Sequence, residues 1–502
     1  MRSGAGGGGG WRAWTLGSLW LALAARVLAG PLPLNYYDIG YALVWGREIL
    51  AGHLPDYRTP GASTPHPLGT LLGTLGAAFG APGGWYVVQV IVFVSVGVAG
   101  TALFMLARTC LRPAVDPGNR PSRRATLGGG VAVGVLLLSP PFLTDAVGGS
   151  GLSDLPALAL VLTAAALVAA DSDSERTRTP LVLLAAAGLM RPEAWGLAGA
   201  YWVYLAYRRL PARRLIESAV LVLSAPVVWV LSDAIVVGDA TYSLTHTQAA
   251  SQTGAFAHGL AQVPRATLDG VRALVGLPVL VVGAIGALTA VGIARRATVP
   301  ALALLALALG EFAALGLADV PLIGRFLLVV AAMTCLFFAY AVLAAGNQAL
   351  ARLGLERRGP RTAVTIAAAL LVVVVAVSHI AGDARVRPQQ RAAVHAEAVL
   401  VSLARRPRVG AVIGDCPGFS VPRYTLTSLV AYDFDLAPTA IRRTGTAPPA
   451  PGLILVPATA GAGRYFGVTP ARLADLRRMT ASGHQVARNR SWRLYVSGCP
   501  PG

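Results

Sequence analysis

The chain has 502 residues, of which 55% are hydrophobic and 13% are charged, and its mean hydropathy is +0.61. This composition excludes a soluble globular protein with a polar surface and indicates an integral membrane protein. The formal charge of +19 comes from 42 basic residues, all of them arginine. Many arginines cluster between apolar runs, as the positive-inside rule predicts, so we expect no nucleic acid partner.

The apolar runs predict a mainly α-helical bundle of about eleven membrane spans. The first run ends near Gly30 and follows Arg2 and Arg12 of a Gly-rich arm, which predicts an uncleaved span with a cytoplasmic N-terminus. Two short runs around Pro192 fit either two spans or one broken helix, and we favour two spans. About 20 residues cross a bilayer, and on this basis the other predicted spans are 86–107, 126–143, 155–170, 180–189, 194–207, 215–237, 273–294, 299–317, 321–343 and 362–381.

The segment 35–68, NYYDIGYALVWGREILAGHLPDYRTPGASTPHPL, follows the first span and has a different character. It contains polar side chains that hydrocarbon does not tolerate, among them Asp38, Arg47, Glu48, Asp56 and His66. We therefore predict that it is a loop at the outer face of the membrane.

The C-terminal tail, residues 382–502, has the composition of a small α/β domain, and an odd number of spans places it outside the cytoplasm. Its apolar runs predict strands at 409–413, 453–456 and 492–496 and a helix at 470–479. Three arginines directly after the last span oppose this placement, but long domains are translocated largely regardless of charge. We therefore predict two domains, a transmembrane module at 1–381 and an extracytoplasmic domain at 382–502.

Cys416 and Cys499 are the two cysteines of this tail. Because the predicted topology places them in an oxidising compartment, we expect a disulfide between them. Free thiols are the alternative if the tail is cytoplasmic.

Three local features, together with the architecture, resemble the GT-C superfamily of polyprenyl-phosphate-sugar-dependent glycosyltransferases. They are Asp38 in NYYDIGYAL, the Pro-rich end of the same loop in TPGASTPHPLGTLLG, and LMRPEAWGL at residues 189–197. The resemblance implies a plasma (inner) membrane enzyme that transfers a sugar from a polyprenyl-phosphate donor to a glycan, lipid or protein acceptor outside the cytoplasm. A transporter or flippase, and a non-catalytic envelope assembly protein, are the alternatives.

The resemblance places the catalytic acid in the first outer loop, which makes Asp38 the candidate general base for an acceptor hydroxyl. The structural alternative is a helix N-cap, since Asp38 precedes the helix-like IGYALVWGREIL. The two roles are compatible.

Four further residues are candidates for substrate binding. Asp154 lies in the second outer loop, where it fits either a substrate site or the start of a helix. Arg191 and Glu193 flank Pro192 and fit either a site or a mutual ion pair. Arg325 interrupts the apolar run PLIGRFLLVVAAM, and its guanidinium suits a lipid phosphate, with snorkelling to the interface as the alternative.

His66 and His246 come from two different outer loops. They are candidate ligands of a divalent metal ion, and His66 is also a candidate for substrate binding. The alternative is that both are ordinary loop histidines.

Overall fold

The computed structural model describes residues 7–30, 37–59, 62–115, 123–139, 142–147, 151–170, 178–251, 257–293, 297–345, 358–415, 418–444, 451–481 and 483–499. The chain folds into two compact units. Unit 1 comprises Met1–Gly30, His66–Leu68 and Val90–Asp383. Unit 2 comprises Pro31–Pro65, Gly69–Gln89 and Ala384–Gly502.

Most described residues are helical, as the composition predicts. The α-helices are α1 Gly7–Ala29, α2 Tyr37–Leu50, α3 Pro67–Ala77, α4 Gly80–Val115, α5 Arg123–Leu138, α6 Gly151–Ala170, α7 Arg178–Gly188, α8 Glu193–Tyr207, α9 Ala212–Val237, α10 Tyr242–Ser251, α11 Val263–Val275, α12 Leu277–Ile293, α13 Val299–Leu317, α14 Leu328–Tyr340, α15 Arg358–Ala404, α16 Pro407–Asp415, α17 Thr427–Asp433, α18 Ala460–Tyr465 and α19 Pro470–Met479. Short 3₁₀ turns include Gly324–Leu327, directly before α14, and Phe142–Val147 is a π-helical turn.

Six helices in the described part of the chain are long and apolar enough to cross a membrane. Helices α11 and α12 meet at a bend of 113° and would make a seventh span if they act as one. The two short runs predicted as spans on either side of Pro192 form α7 and α8, of 11 and 15 residues. Because about 20 residues are needed to cross, neither spans a bilayer alone. The protein is a multi-pass membrane protein.

The helices of unit 1 pack through small residues, as is usual in membrane proteins. Gly283 and Gly286 of α12 face α14, where a Cβ added to Gly286 would lie 2.0 Å from the carbonyl oxygen of Phe337. A Cβ added to Gly283 would lie 2.6 Å from the carbonyl oxygen of Thr334. A larger side chain at either position would therefore push these two helices apart.

Unit 2 contains a five-stranded sheet with the order β2-β1-β3-β5-β4. Its strands are β1 Gly418–Val421, β2 Ile441–Arg443, β3 Gly452–Pro457, β4 His484–Arg488 and β5 Trp492–Ser497. Strand β1 pairs in parallel with β2 and β3, whereas β5 pairs antiparallel with β3 and β4. Ile454 and Val456 of β3 pack with Leu473 and Leu476 of α19 in the core of the sheet.

The predicted α/β character of the tail is confirmed, with one wrong element. The runs 453–456 and 492–496 lie in β3 and β5, and α19 has the predicted bounds 470–479. The run 409–413 is not a strand, since it lies in α16. A short apolar run does not distinguish a strand from a buried helix, and Pro407 at the first position of α16 is a helix-start signal.

Most of the segment 35–68 belongs to unit 2, where α2 contacts the C-terminal segment. Arg47 of α2 donates to Asp435 Oδ1 at 2.7 Å and to the carbonyl oxygens of Leu436 at 2.8 Å and Ala431 at 3.1 Å. Ser428 of α17 donates to the carbonyl oxygen of Tyr37 at 3.1 Å. These hydrogen bonds join α2 to the C-terminal segment within unit 2.

Candidate functional site

A break between two short helices positions the first charged group of the site. Helix α7 ends at Gly188, and the amide of Arg191 still donates to the carbonyl oxygen of Ala187 at 2.8 Å. Pro192 then precedes Glu193, the first residue of α8. The C-terminal end of a helix favours a cation and the N-terminal end favours an anion. The break therefore places Arg191 and Glu193 at helix ends that match their charges.

Arg191 forms a buried ion pair with Asp154 in the first turn of α6. Their side chains are 10% and 3% exposed, and Arg191 Nη2 also donates to Ser153 Oγ at 3.2 Å. One oxygen of Asp154, Oδ2, is buried and has no hydrogen-bond partner among the described residues. Removing one partner of a buried ion pair lowers the free energy of unfolding by more than the intact pair contributes to it. Each residue therefore holds the other in place.

This ion pair lines a cavity within unit 1 that also contains Glu193, Glu311 and Arg325. The remaining wall consists of apolar side chains of α6, α8, α13 and α14 and of Phe326. The cavity offers about 60 Å³ to the centres of water-sized molecules. A water molecule needs roughly 10–15 Å³ on this measure, so the enclosed space holds several waters, and because the cavity is partly open it also admits one end of a larger ligand.

Phe326 fixes the two cations of the cavity. The guanidinium carbon of Arg191 lies 5.3 Å from the centre of its ring, and that of Arg325 lies 5.7 Å from it. Arg325 is positioned by the 3₁₀ turn Gly324–Leu327. Cation–π attraction to this ring favours both guanidinium groups at this place in the cavity.

His66 lies in unit 1 beside these arginines. Its ring packs edge-on against Trp229, with centroids 5.5 Å apart, and the amide of the nearby Leu68 donates to the carbonyl oxygen of Leu189 at 3.2 Å. Burial, and then the positive charges of Arg191 and Arg325, lower the pKa of His66 well below its usual value. His66 is therefore neutral, and the two arginines beside it would repel a divalent cation.

His246 lies on α10, where its ring stacks on Tyr242 at 5.2 Å. Within the described residues, no group of three or more His, Cys, Asp or Glu side chains is arranged to hold a metal ion. The surroundings of His66 do not fit a metal site.

The predicted base, Asp38, and Cys499 of the predicted disulfide both lie in unit 2. Asp38 is half-buried in the first turn of α2, a position that suits the capping role as well as a catalytic one. It does not line the cavity, which is formed within unit 1. Cys499 is disulfide-bonded, whereas Cys416 lies outside the described residues, so the pairing of Cys416 with Cys499 stays a prediction.

Comparisons with known proteins address the fold. No protein-family model matches the sequence, and no curated protein matches it. Among solved structures, the crystal structure of ArnT from Cupriavidus metallidurans in the apo state matches with a TM-score of 0.52 and 14% identity. The match covers 97% of this chain and 98% of that one, and ArnT is a GT-C glycosyltransferase. The chain has the GT-C fold. The predicted GT-C-like helical bundle with a small C-terminal α/β domain is thus confirmed.

Within this GT-C fold, the structure brings together four residues that the sequence predicts as substrate-binding, namely Asp154, Arg191, Glu193 and Arg325. Their roles stay predictions, since the fold does not identify a ligand. Sequence reasoning missed Glu311, although it is the one acidic residue of the apolar helix α13. An ionisable residue inside an apolar span is itself a sign of function, so the signal was present in the sequence.

Proposed function

We propose that this protein is a glycosyltransferase that moves a sugar from a polyprenyl-phosphate carrier to a glycan, lipid or protein acceptor. The observation that carries the proposal is the cavity of unit 1, where Arg191 and Arg325 flank Phe326 in a chain with the GT-C fold. A planar guanidinium matches a phosphate with two parallel hydrogen bonds. Such a site in a membrane protein suits a phosphate attached to a lipid.

The chemistry follows from these groups. The acceptor oxygen attacks the anomeric carbon of the sugar while the bond from that carbon to the phosphate oxygen breaks. Negative charge then grows on the departing phosphate, and a fixed guanidinium in a low-dielectric site stabilises this charge more in the transition state than in the ground state. We assign this role to Arg325, with Arg191 held beside it by Asp154.

The proposal places the sugar-transfer site on the outer side of the plasma membrane, with the N-terminus in the cytoplasm. It is supported by the arginine-rich loops between spans and by the assembly of the first outer loop and the C-terminal segment into one unit. Labelling of single introduced cysteines with a membrane-impermeant reagent tests it. Labelling of residue 490 only after membrane disruption would reject the orientation.

Arg325→Gln tests the phosphate site. The substitution keeps a polar side chain but removes the charge, so we expect the purified protein to lose roughly 10- to 100-fold in affinity for decaprenyl phosphate. Uncharged decaprenol of the same length serves as the reference ligand, because it reports lipid partitioning alone. Arg265→Gln is the matched control, since Arg265 is 83% exposed on α11.

Two outcomes would count against the phosphate site. A wild-type protein that binds decaprenyl phosphate no better than decaprenol would reject the proposed donor. Equal affinity of the wild type and Arg325→Gln would reject Arg325 as the phosphate ligand.

Asp38→Asn tests the proposed base. We expect turnover to fall by a factor on the order of 10² to 10⁴ with unchanged decaprenyl phosphate binding, because Asn cannot take the proton of the acceptor hydroxyl. Asn caps a helix about as well as Asp, so a purely structural Asp38 predicts near-normal turnover. Measuring sugar transfer by the purified variant distinguishes the two roles.

A further inference from the structure

Glu311 is a carboxylate that neither the GT-C resemblance nor the phosphate site explains. It lies in the middle of the sequence ALALGEFAALGL on α13 and lines the cavity together with Glu193 of α8. An acidic side chain in an apolar span is energetically unfavourable, and such residues usually have a function. Arg191 already pairs with Asp154, so Glu311 is not required to balance that arginine.

Both of these glutamates present oxygen atoms that lack a partner. Oε1 of Glu311 and Oε2 of Glu193 are buried, and no donor in the described part of the chain reaches either one. A buried acceptor without a donor costs about 1–3 kcal/mol. Two such acceptors on the wall of one cavity indicate a ligand that brings its own donors.

The neighbouring helix α8 is shaped to admit the carboxylate of Glu311. A Cβ added to Gly196 of α8 would lie 2.7 Å from Glu311 Oε1 and 3.3 Å from its Cγ. Any residue other than glycine would therefore displace the Glu311 side chain from its present position. Gly199, one turn further along α8, has nothing within 4 Å of the corresponding position.

We propose that Glu311 and Glu193 accept hydrogen bonds from hydroxyl groups of the donor's sugar, while the arginines of the same cavity bind its phosphate. The inference rests on the proposed function and extends it, because it makes Glu311 a specificity-determining residue for the sugar. A phosphate accepts hydrogen bonds and a sugar hydroxyl donates them. The cations and the unpartnered carboxyl oxygens of one cavity thus match the two ends of a sugar phosphate.

This arrangement recognises the pattern of hydroxyl groups on the sugar ring. A site whose buried acceptors need a hydroxyl strongly rejects an analogue that lacks it, since the acceptor is then left without a donor. Replacing the hydroxyl that faces Glu311 by hydrogen should therefore cost affinity in the wild-type protein only.

The experiment measures binding, so it needs no acceptor. Decaprenyl phosphate is compared with decaprenyl phosphate carrying glucose, galactose, mannose or arabinose, and then with the monodeoxy analogues of the best-bound sugar. We expect that sugar to raise the affinity of the wild type by about 10-fold or more over bare decaprenyl phosphate. In Glu311→Ala the gain over bare decaprenyl phosphate, measured in the same variant, should fall to less than about 3-fold.

The deoxy analogues identify the contact itself. For one monodeoxy sugar, the affinity of the wild type should be about 10-fold lower than for the parent sugar. The affinity of Glu311→Ala should be the same for both sugars, because the removed hydroxyl and the removed carboxyl group are partners. Glu217→Ala is the matched control on an exposed part of α9, where Glu217 pairs with Arg178 and Arg213. It should respond to every analogue as the wild type does.

Gly196→Ala tests the inference without removing a charge. The added methyl group displaces Glu311, so this variant should also lose the gain in affinity from the sugar, whereas Gly199→Ala on the same helix should keep it. This pair remains informative if Glu311→Ala does not fold.

The binding results distinguish a failure of the proposed function from a failure of the inference about Glu311. A wild type that does not prefer decaprenyl phosphate to decaprenol rejects the proposed function and the inference with it. Normal binding of bare decaprenyl phosphate, combined with an equal sugar gain in the wild type, Glu311→Ala and Gly196→Ala, overturns the inference alone. The absence of any sugar gain in the wild type does the same.

Discussion

The ion pair Arg191–Asp154 in unit 1 and the ion pair Arg47–Asp435 in unit 2 consist of the same two side-chain types in different surroundings. The side chains of the first pair are 10% and 3% exposed, and those of the second are 26% and 87% exposed. A buried pair depends on both partners, whereas water replaces a lost partner at the surface. The comparison separates a pair that holds two side chains of the unit 1 cavity in place from a pair that only accompanies a backbone contact.

The role of Arg47 in unit 2 supports this distinction. Besides Asp435, its guanidinium donates to two backbone carbonyl oxygens, those of Leu436 and Ala431. Ala431 lies in the last turn of α17, where its carbonyl oxygen also accepts from the amide of Leu436 at 2.9 Å. Arg47 therefore joins α2 to α17 mainly through the backbone, and the carboxylate of Asp435 adds little.

The largest expected effect is that of Asp154→Ala. It leaves the guanidinium of Arg191 buried without its carboxylate, so we expect the free energy of unfolding to fall by about 3–5 kcal/mol. Thermal unfolding of the purified protein in detergent measures the change. Adding Arg191→Met should restore much of the stability, because the buried charge is then gone, while decaprenyl phosphate binding stays weak. A double variant as unstable as the single one would contradict the account.

A smaller effect is expected at Asp433 of α17, a carboxylate of unit 2 with a neutral main partner. Trp85 Nε1 donates to its Oδ1 at 3.1 Å. Burial raises the pKa of Asp433 to about 7, against the opposing effects of the Trp85 hydrogen bond and of the positive charge of Arg405. Between about pH 4 and pH 7 the folded state therefore holds a proton that the unfolded state has released. Stability falls as the pH rises through this window, by at most about 4 kcal/mol.

Asp433→Asn should remove this pH dependence, because Asn still accepts the hydrogen bond of Trp85 but does not ionise. We expect the variant to unfold at a higher temperature than the wild type at about pH 8 and at nearly the same temperature at about pH 4. The difference between the two proteins isolates Asp433 from other titrating groups. A difference that is the same at both pH values would show that folding does not raise the pKa of Asp433.

The smallest effect is expected for Asp435→Ala. Because Asp435 is 87% exposed, we expect a loss of about 0–1 kcal/mol, and less at high salt. Arg47→Ala should lower the free energy of unfolding by more than Asp435→Ala does, since it also removes the donors to the carbonyl oxygens of Leu436 and Ala431. Thermal unfolding of the two variants at low and high salt tests both statements. An Asp435→Ala variant as unstable as Asp154→Ala would remove the distinction between the two pairs.

Local signals in the sequence predict much of the fold. Helix α19 has its predicted bounds because Pro470 occupies its first position and the hydroxyl of Thr469 accepts from the amide of Arg472 at 3.3 Å. The strand predicted at 409–413 is wrong, because an apolar run this short does not show whether its hydrophobic residues follow the period of a strand or of a helix. The joining of α2 to α17 was not predicted, since it depends on contacts between residues hundreds of positions apart.

The members of the candidate site were more predictable than their arrangement. Arg325 and Arg191 stand out in the sequence because charged groups near apolar runs are unusual. Glu311 carries the same signal and was missed. That these three face one cavity depends on how α8, α13 and the turn before α14 pack, and hydropathy contains no information on such packing.

Unit 2 joins segments from both ends of the chain, which has a consequence for biosynthesis. Arg47 and Asp435 are 388 residues apart. At about 5–20 residues per second, a ribosome needs roughly 20–80 s to make the chain between them. During that time α2 lacks α17, so its apolar face and the Arg47 guanidinium remain open to chaperones and proteases. Premature termination anywhere before α17 would leave this face permanently uncovered and mark the product for degradation.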